Sequence, residues 1–320
     1  MPSADIAERR ASALDFARAP SPGPEPVTAA AGARWPVALR SITVLGELSE
    51  ASETALQRAA GLAAAHGARL RLLGWAARGD ISDGLLRARL SRMARRAARR
   101  SQVPVELGDT PMHGLREVLG QLDGTDLVVT ANRRSDGLAS FWRPNPAVRL
   151  AGVLPVPLLV VNEPCGLPYR QALAAVDLQA EPERVARWAA ALAGDGELAL
   201  LHVLRQWRPG KLRHGEDGLR WLELDLRRRA AQLQRVADTL QPQTDRLRVM
   251  LALGDDVAAE ILVRRPAEGG MLVVVGRSTE APWLDALLGS VTRSVLRASP
   301  HDVLVVPVGS PLTEDAQIGR

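Results

Sequence analysis

The sequence of 320 residues holds a single cysteine, Cys165. An intramolecular disulfide is therefore excluded, and a reducing compartment is the expectation. No run of about 18 uncharged apolar residues is present, the length a membrane-spanning helix needs. The first residues lack the apolar core of a secretory signal peptide. These absences together predict a cytoplasmic protein with no membrane span. Catalytic signatures are missing too. There is no Gly-x-x-x-x-Gly-Lys-Ser/Thr loop, and no motif sets a His or carboxylate beside a nucleophile. His66, His113, His202, His214 and His301 show no metal-ligand spacing. Lysine is so scarce that nearly all of the 41 basic residues, set against 36 acidic ones, are arginine.

What is present is a core-forming chain, 46% apolar, with room for two domains of ordinary size. Residues 1–38 are rich in Ala, Pro and Arg, and the alternating Pro20, Pro22, Pro24 and Pro26 cannot sit in a helix or central strand. This stretch reads as a disordered extension in which Asp5 to Ala19 could form a short amphipathic helix. From Ser41 onward strands alternate with helices, which predicts α/β architecture, with parallel sheets covered on both faces. Strands are expected at Ile42–Gly46, Arg69–Trp75, Val103–Leu107, Asp126–Thr130 and Leu158–Val161. After the linker around Cys165 the order restarts, with strands at Gln171–Val176, Glu197–Val203, Arg248–Leu253, Leu272–Val275 and Val303–Val306.

The second half also repeats the first in residues. Leu107-Gly108-Asp109 is answered by Leu253-Gly254-Asp255, and Asp126 to Val129 by Met271 to Val274. Leu72 to Trp75 is answered by Leu200 to Val203, and Pro157 to Val161 by Asp302 to Val306. A tandem duplication is the simplest account. It predicts two five-stranded domains, residues 39–165 and 166–310, followed by a tail at 311–320.

The chemistry concentrates between Met271 and Pro307. Gly276 is expected to end a strand, and Gly289-Ser290-Val291-Thr292 to open a helix that Pro300 stops. A bare glycine at a helix start leaves unpaired N–H groups and the positive end of the helix dipole available to an anion. Ser290 and Thr292 add hydroxyl donors. The same residues also fit a plain helix cap and a plain turn.

The spacing Gly276, two residues, Thr279, nine residues, Gly289-Ser290 resembles the nucleotide loop of the universal stress protein family, whose domains are Rossmann-like and related to adenine-nucleotide α-hydrolases. Thr279 stands where the family has a second glycine, so its β-carbon could crowd the phosphates, while its hydroxyl could serve as a donor. The resemblance extends to Val176-Asp177, in the place of the family's Val-Asp dipeptide at the nucleoside, and to Leu201-His202-Val203, whose last residue flanks the base. By itself Asp177 also fits an exposed aspartate capping the next helix, and His202 reads as a packed histidine. The site implied by the resemblance is Asp177, Val203, Gly276, Thr279, Gly289, Ser290, Val291 and Thr292, holding ATP, with or without Mg²⁺. In the first half Pro144-Asn145 replaces Gly289-Ser290, Thr130 or Ala131 replaces Gly276, and Gly46-Glu47 replaces Val176-Asp177. No nucleotide is expected there.

A regulatory ATP-binding protein is the leading expectation, with an unidentified protein partner. A stress scaffold that binds no nucleotide and a slow ATP hydrolase of the same fold are the alternatives. Because family members pair through their last strands, either an intramolecular pseudo-dimer or a homodimer is implied. The basic run Arg87 to Arg100 lies on an amphipathic helix whose stripe is Leu86, Leu90, Met93 and Ala97. With no aromatic residues interleaved it reads as a solvated face, and nucleic acid is not the expected partner.

Overall fold

The computed structural model describes residues 37–47, 49–75, 82–109, 111–132, 146–162, 169–205, 216–240, 246–264, 270–279 and 288–309. The expected extension up to residue 36, the Pro144-Asn145 substitution, Cys165 and the tail from 310 lie outside them. The first half runs β1 (Ser41–Gly46), α1 (Glu50–His66), β2 (Arg69–Gly74), α2 (Asp83–Ser101), β3 (Val105–Leu107), α3 (Leu115–Leu119), β4 (Leu127–Ala131), α4 (Pro146–Val153) and β5 (Leu158–Val161). The second runs β6 (Gln171–Ala175), α5 (Pro182–Ala193), β7 (Glu197–Arg205), α6 (Glu216–Asp238), β8 (Leu247–Gly254), α7 (Val257–Leu262), β9 (Met271–Ser278), α8 (Ser290–Ala298) and β10 (Asp302–Val308).

Local chemistry sets these boundaries. The hydroxyl of Ser49 caps α1 by accepting from the Ser52 N–H, and Gly67 ends the helix at φ 65°, a conformation that suits glycine. Several strand ends differ from expectation: β3 begins at Val105, β7 runs on to Arg205 and β8 covers Leu247–Gly254. Strand β9 continues through Gly276 to Ser278, and β10 continues through Pro307 to Val308, paired Gly276↔Val306 and Val308↔Ser278. Pro307 is tolerated because β5 pairs only with Val303, Leu304 and Val305, so the proline lies beyond that ladder.

The halves do not form two separate five-stranded sheets. All ten strands join one sheet in the order β3-β2-β1-β4-β5-β10-β9-β6-β7-β8. Every pairing is parallel except β5 with β10, which is antiparallel. Both seam strands are buried along their whole length and are apolar apart from Asp302. Each would otherwise be an open edge of its half, and pairing within the chain covers it.

Alternate residues feed two cores. Ile42, Val44, Ala172 and Ala174 pack with α1, α2, α5 and α6 on one face. Leu45, Leu73, Leu173 and Leu201 pack with α3, α4, α7 and α8 on the other. Each core crosses the seam. A polar cluster also crosses it: Arg58 of α1 and Asp302 of β10 are fully buried, with Nε 2.9 Å from Oδ2. Asp302 accepts from the Tyr169 hydroxyl at 2.7 Å and from the Asn162 N–H at 2.8 Å. The Arg58 guanidinium lies 4.6 Å from the Tyr169 ring centre. Nearby, Arg277 donates to the carbonyls of Gly152 and Leu154 where α4 ends, at 3.0 and 2.7 Å. Burial pushes that guanidinium below its ordinary pKa.

Candidate functional site

Strand order reverses direction between β6 and β9, which is where open parallel sheets hold ligands, at the carboxyl ends of the strands. A cleft of about 420 Å³ lies there. Its walls include Ala175 to Asp177 at the end of β6, Leu201 to Val203 and Arg205 on β7, Val275, Gly276 and Ser278 on β9, and Gly289 to Thr292 at the start of α8, with Val185 of α5, Val257 and Ile261 of α7 and Val308 of β10. Of the eight residues expected from sequence, seven line the cleft: Asp177, Val203, Gly276, Gly289, Ser290, Val291 and Thr292.

Thr279 is the exception. Its N–H and hydroxyl both meet the Val308 carbonyl, at 2.8 and 3.2 Å, and it does not line the cleft. Nor is its backbone left-handed, since Gln102 and Glu181 are the non-glycine residues with positive φ among the described residues. Thr279 therefore ties the ends of β9 and β10 together, and its β-carbon does not fill the cleft. Residues 280–287, most of the nine-residue spacer, lie outside the described residues.

Each remaining residue has a physical role. Gly289 is the N-cap of α8 and offers no side chain to the first-turn N–H groups, which leaves them directed at the cleft. A Cβ added at Gly289 would meet nothing within 4 Å. Ser290 is exposed, whereas Thr292 is buried and its hydroxyl donates to the Gly276 carbonyl at 3.0 Å. Thr292 thus fastens α8 to β9 and is not a free donor. Gly276 sits under Val308 and Val185, whose methyls would lie 3.3 and 3.4 Å from a Cβ.

At the other end, Asp177 is exposed, and its Oδ1 accepts from the Gln179 N–H at 3.0 Å. That bond builds the turn into α5 and orients the carboxylate beside the cleft. His202 lies 2.9 Å from the Val176 carbonyl through Nδ1 and 3.4 Å from Arg229 of α6 through Nε2. A carbonyl only accepts and a guanidinium only donates, so the two contacts fit the tautomer that donates from Nδ1. His202 is a packed histidine, as its sequence context predicts, and it also forms part of the cleft wall.

Sequence reasoning missed Arg205 and Ser278. Both fall within strands that run two or three residues beyond the expected ends at Val203 and Val275. Arg205 is exposed and is the basic residue among those lining the cleft.

Among the described residues, the strand ends of the first half differ from those of the second. Ala131 pairs with Val161 as Gly276 pairs with Val306, so Ala131 is the counterpart of Gly276. Gly46 and Gly74 stand where Val176 and His202 stand. A Cβ at Gly46 would lie 2.7 Å from Leu72, and one at Gly74 would lie 2.7 Å from Leu90 of α2. Leucines have closed over these strand ends, and the polar His202–Arg229 contact is replaced by Gly74 against Leu90.

Fold and cleft together define an α/β protein of the Rossmann-like class with a cleft in its second half. Residues 168–307 match the model of the universal stress protein family. A universal stress protein from Archaeoglobus fulgidus DSM 4304 superposes with a TM-score of 0.59 at 16% identity, covering 84% of this chain and 97% of that one. A protein of unknown function from Pseudomonas aeruginosa PAO1 does so at 0.58 with 20% identity, over 85% and 93%. Both likenesses span the two halves and establish the fold. No curated protein matches at the sequence level.

Proposed function

We propose that the second half binds one adenine nucleotide, ATP with or without Mg²⁺, and that the protein acts through occupancy of this cleft and not through turnover. The observation that carries the reading is the uncapped amino end of α8, opening at Gly289 into a cleft at the point of strand reversal. The phosphates would meet the N–H groups of Ser290, Val291 and Thr292, with Gly276 permitting close approach. Asp177 would accept from ribose hydroxyls and Val203 would flank the base. Arg205 adds positive charge at the rim. Among the described residues no cluster of three His, Cys, Asp or Glu could hold a metal ion, so Mg²⁺ would arrive held by phosphate oxygens.

The first half serves as scaffold in this reading, since its strand ends are closed by Leu72 and Leu90. The test is calorimetric titration with ATP and Mg²⁺ beside Gly289→Glu. The substitution enters open space at a φ of −51°, and an acidic group at a helix start suits the dipole. The fold is therefore retained while a carboxylate occupies the phosphate position. Binding of about one ATP per chain, lost in the variant, is expected. Absence of binding in nucleotide-free protein would instead favour a scaffold that takes no nucleotide.

A further inference from the structure

Helices α2 and α6 occupy equivalent places, α2 packing on the outer strands β2 and β3 and α6 on β7 and β8. They carry charge in opposite ways. On α6 the arginines are interleaved with acids: Arg227 pairs with Glu223, and Arg229 with Asp225 at 3.0 Å. On α2, Arg87, Arg89, Arg92, Arg95, Arg96, Arg99 and Arg100 are all exposed, and no acidic residue occurs between Gly84 and Val105. The single ion pair from this run among the described residues is Arg96 to Glu53 of α1, at 3.7 Å and largely exposed. These seven arginines exceed the chain's whole formal excess of +5, so the remainder of the protein is slightly acidic.

The fold does not require this arrangement, because α6 fills the equivalent place with balanced charge. Like charges three and four residues apart, such as Arg92 with Arg95 and Arg96, oppose helix formation. From sequence alone the run reads as a solvated face. The balanced counterpart helix makes that reading insufficient, since solvation asks for charge of either sign and not for arginine alone.

We propose that the outer face of α2 is a docking surface for the phosphate backbone of a nucleic-acid duplex. Thirteen residue steps separate Arg87 from Arg100, about 20 Å of helix, and a duplex presents one phosphate charge per about 1.7 Å of its axis. Guanidinium forks suit phosphate oxygens better than ammonium groups do. Between the arginines the outward residues are Ala88, Ser91 and Ala98, small enough for close approach. Leu86 and Leu90 point inward and are buried, Met93 is half-buried, and Leu85, 44% exposed, stands before the first arginine of the run. The face between Arg87 and Arg100 therefore has no large apolar anchor for a protein hot spot, no apolar wedge for a lipid surface and no aromatic platform for single strands.

The test is fluorescence anisotropy of a labelled 20-base-pair duplex of arbitrary sequence with the full chain at stepped salt concentrations. The comparison is with Arg92→Gln/Arg95→Gln/Arg99→Gln and with the α6 control Arg220→Gln/Arg228→Gln. Binding that weakens steeply with salt is expected. The α2 variant should lose most of it and flatten the slope by about 2 to 3, near 0.9 per phosphate contact removed. The α6 control should match wild type. No duplex binding in low salt, binding that the α2 variant keeps, or stronger association with phosphatidylserine vesicles than with duplex would each overturn the assignment. Circular dichroism of both variants confirms that the helices are intact.

Discussion

The hydroxyl of Thr292 joins the first turn of α8 to the carbonyl of Gly276. Thr292→Val keeps the shape and removes the bond, leaving a carbonyl without its partner. We expect a loss of about 1 kcal/mol in urea denaturation, together with weaker ATP binding, because α8 would no longer be held at a fixed distance from β9. If the Gly276 carbonyl simply turned to water, stability and affinity would both stay at wild-type values. His66 offers a second measurement at this scale. Burial lowers its pKa from the ordinary histidine value, partly opposed by a hydrogen bond with the Ala191 backbone in the other half. The native state therefore holds fewer protons than the unfolded state once the pH drops below about 6.5. Its contribution to stability is present above that value and is lost as pH falls through the lowered native pKa. An NMR titration should give a His66 midpoint below about 6.5. His66→Gln should flatten the stability profile between about pH 7 and about pH 5.

Among the elements, the seam between β5 and β10 has the largest consequences. Three residue pairs join these strands, too few to hold two domains together alone, and the buried cluster of Arg58, Asp302, Tyr169 and Asn162 lies at its end. Removing one partner of a buried ion pair strands the other without water. Asp302→Ala should therefore cost about 3 to 5 kcal/mol, read as a lowered denaturation midpoint. Replacing both charges, Arg58→Met with Asp302→Ala, should recover part of that loss, because no orphaned charge remains. A double variant no more stable than Asp302→Ala would assign the cost to the Tyr169 and Asn162 bonds. The pairing of the last strands was among the expectations from the sequence, but the buried cluster was not legible there. Asp302 falls in a strand, Arg58 within a helix and Tyr169 beside a linker, with no spacing that connects them. The glycine loop was legible because one local segment, Met271 to Pro307, carries most of it.

For the whole molecule, the second half holds a cleft, and among the described residues of the first half Leu72 and Leu90 lie against the equivalent strand ends. The repeated strand pattern allowed both halves to be recognised from sequence, and the residue correspondence distinguished them before any coordinates. The stoichiometry of ATP binding tests the division: about one nucleotide per chain if only the second half is live, and about two if the first half also opens. No described helix is long and apolar enough to cross a membrane.

The sequence by itself determined the order of strands and helices, the internal repeat and seven of the cleft residues. The first two depend on periodicity, capping and glycine placement, which act over a few neighbouring residues, and the cleft residues were reached through the resemblance of their motifs to a known family. Tertiary structure decided that ten strands form one sheet, that β5 meets β10 antiparallel, that Thr279 binds the Val308 carbonyl instead of facing the cleft, and that the arginines of α2 lie exposed where α6 pairs Arg227 and Arg229 with acids. Each of those outcomes depends on which distant groups are buried against each other. Burial sets the cost of an open edge or a lone charge, and that cost is defined only once the chain has folded.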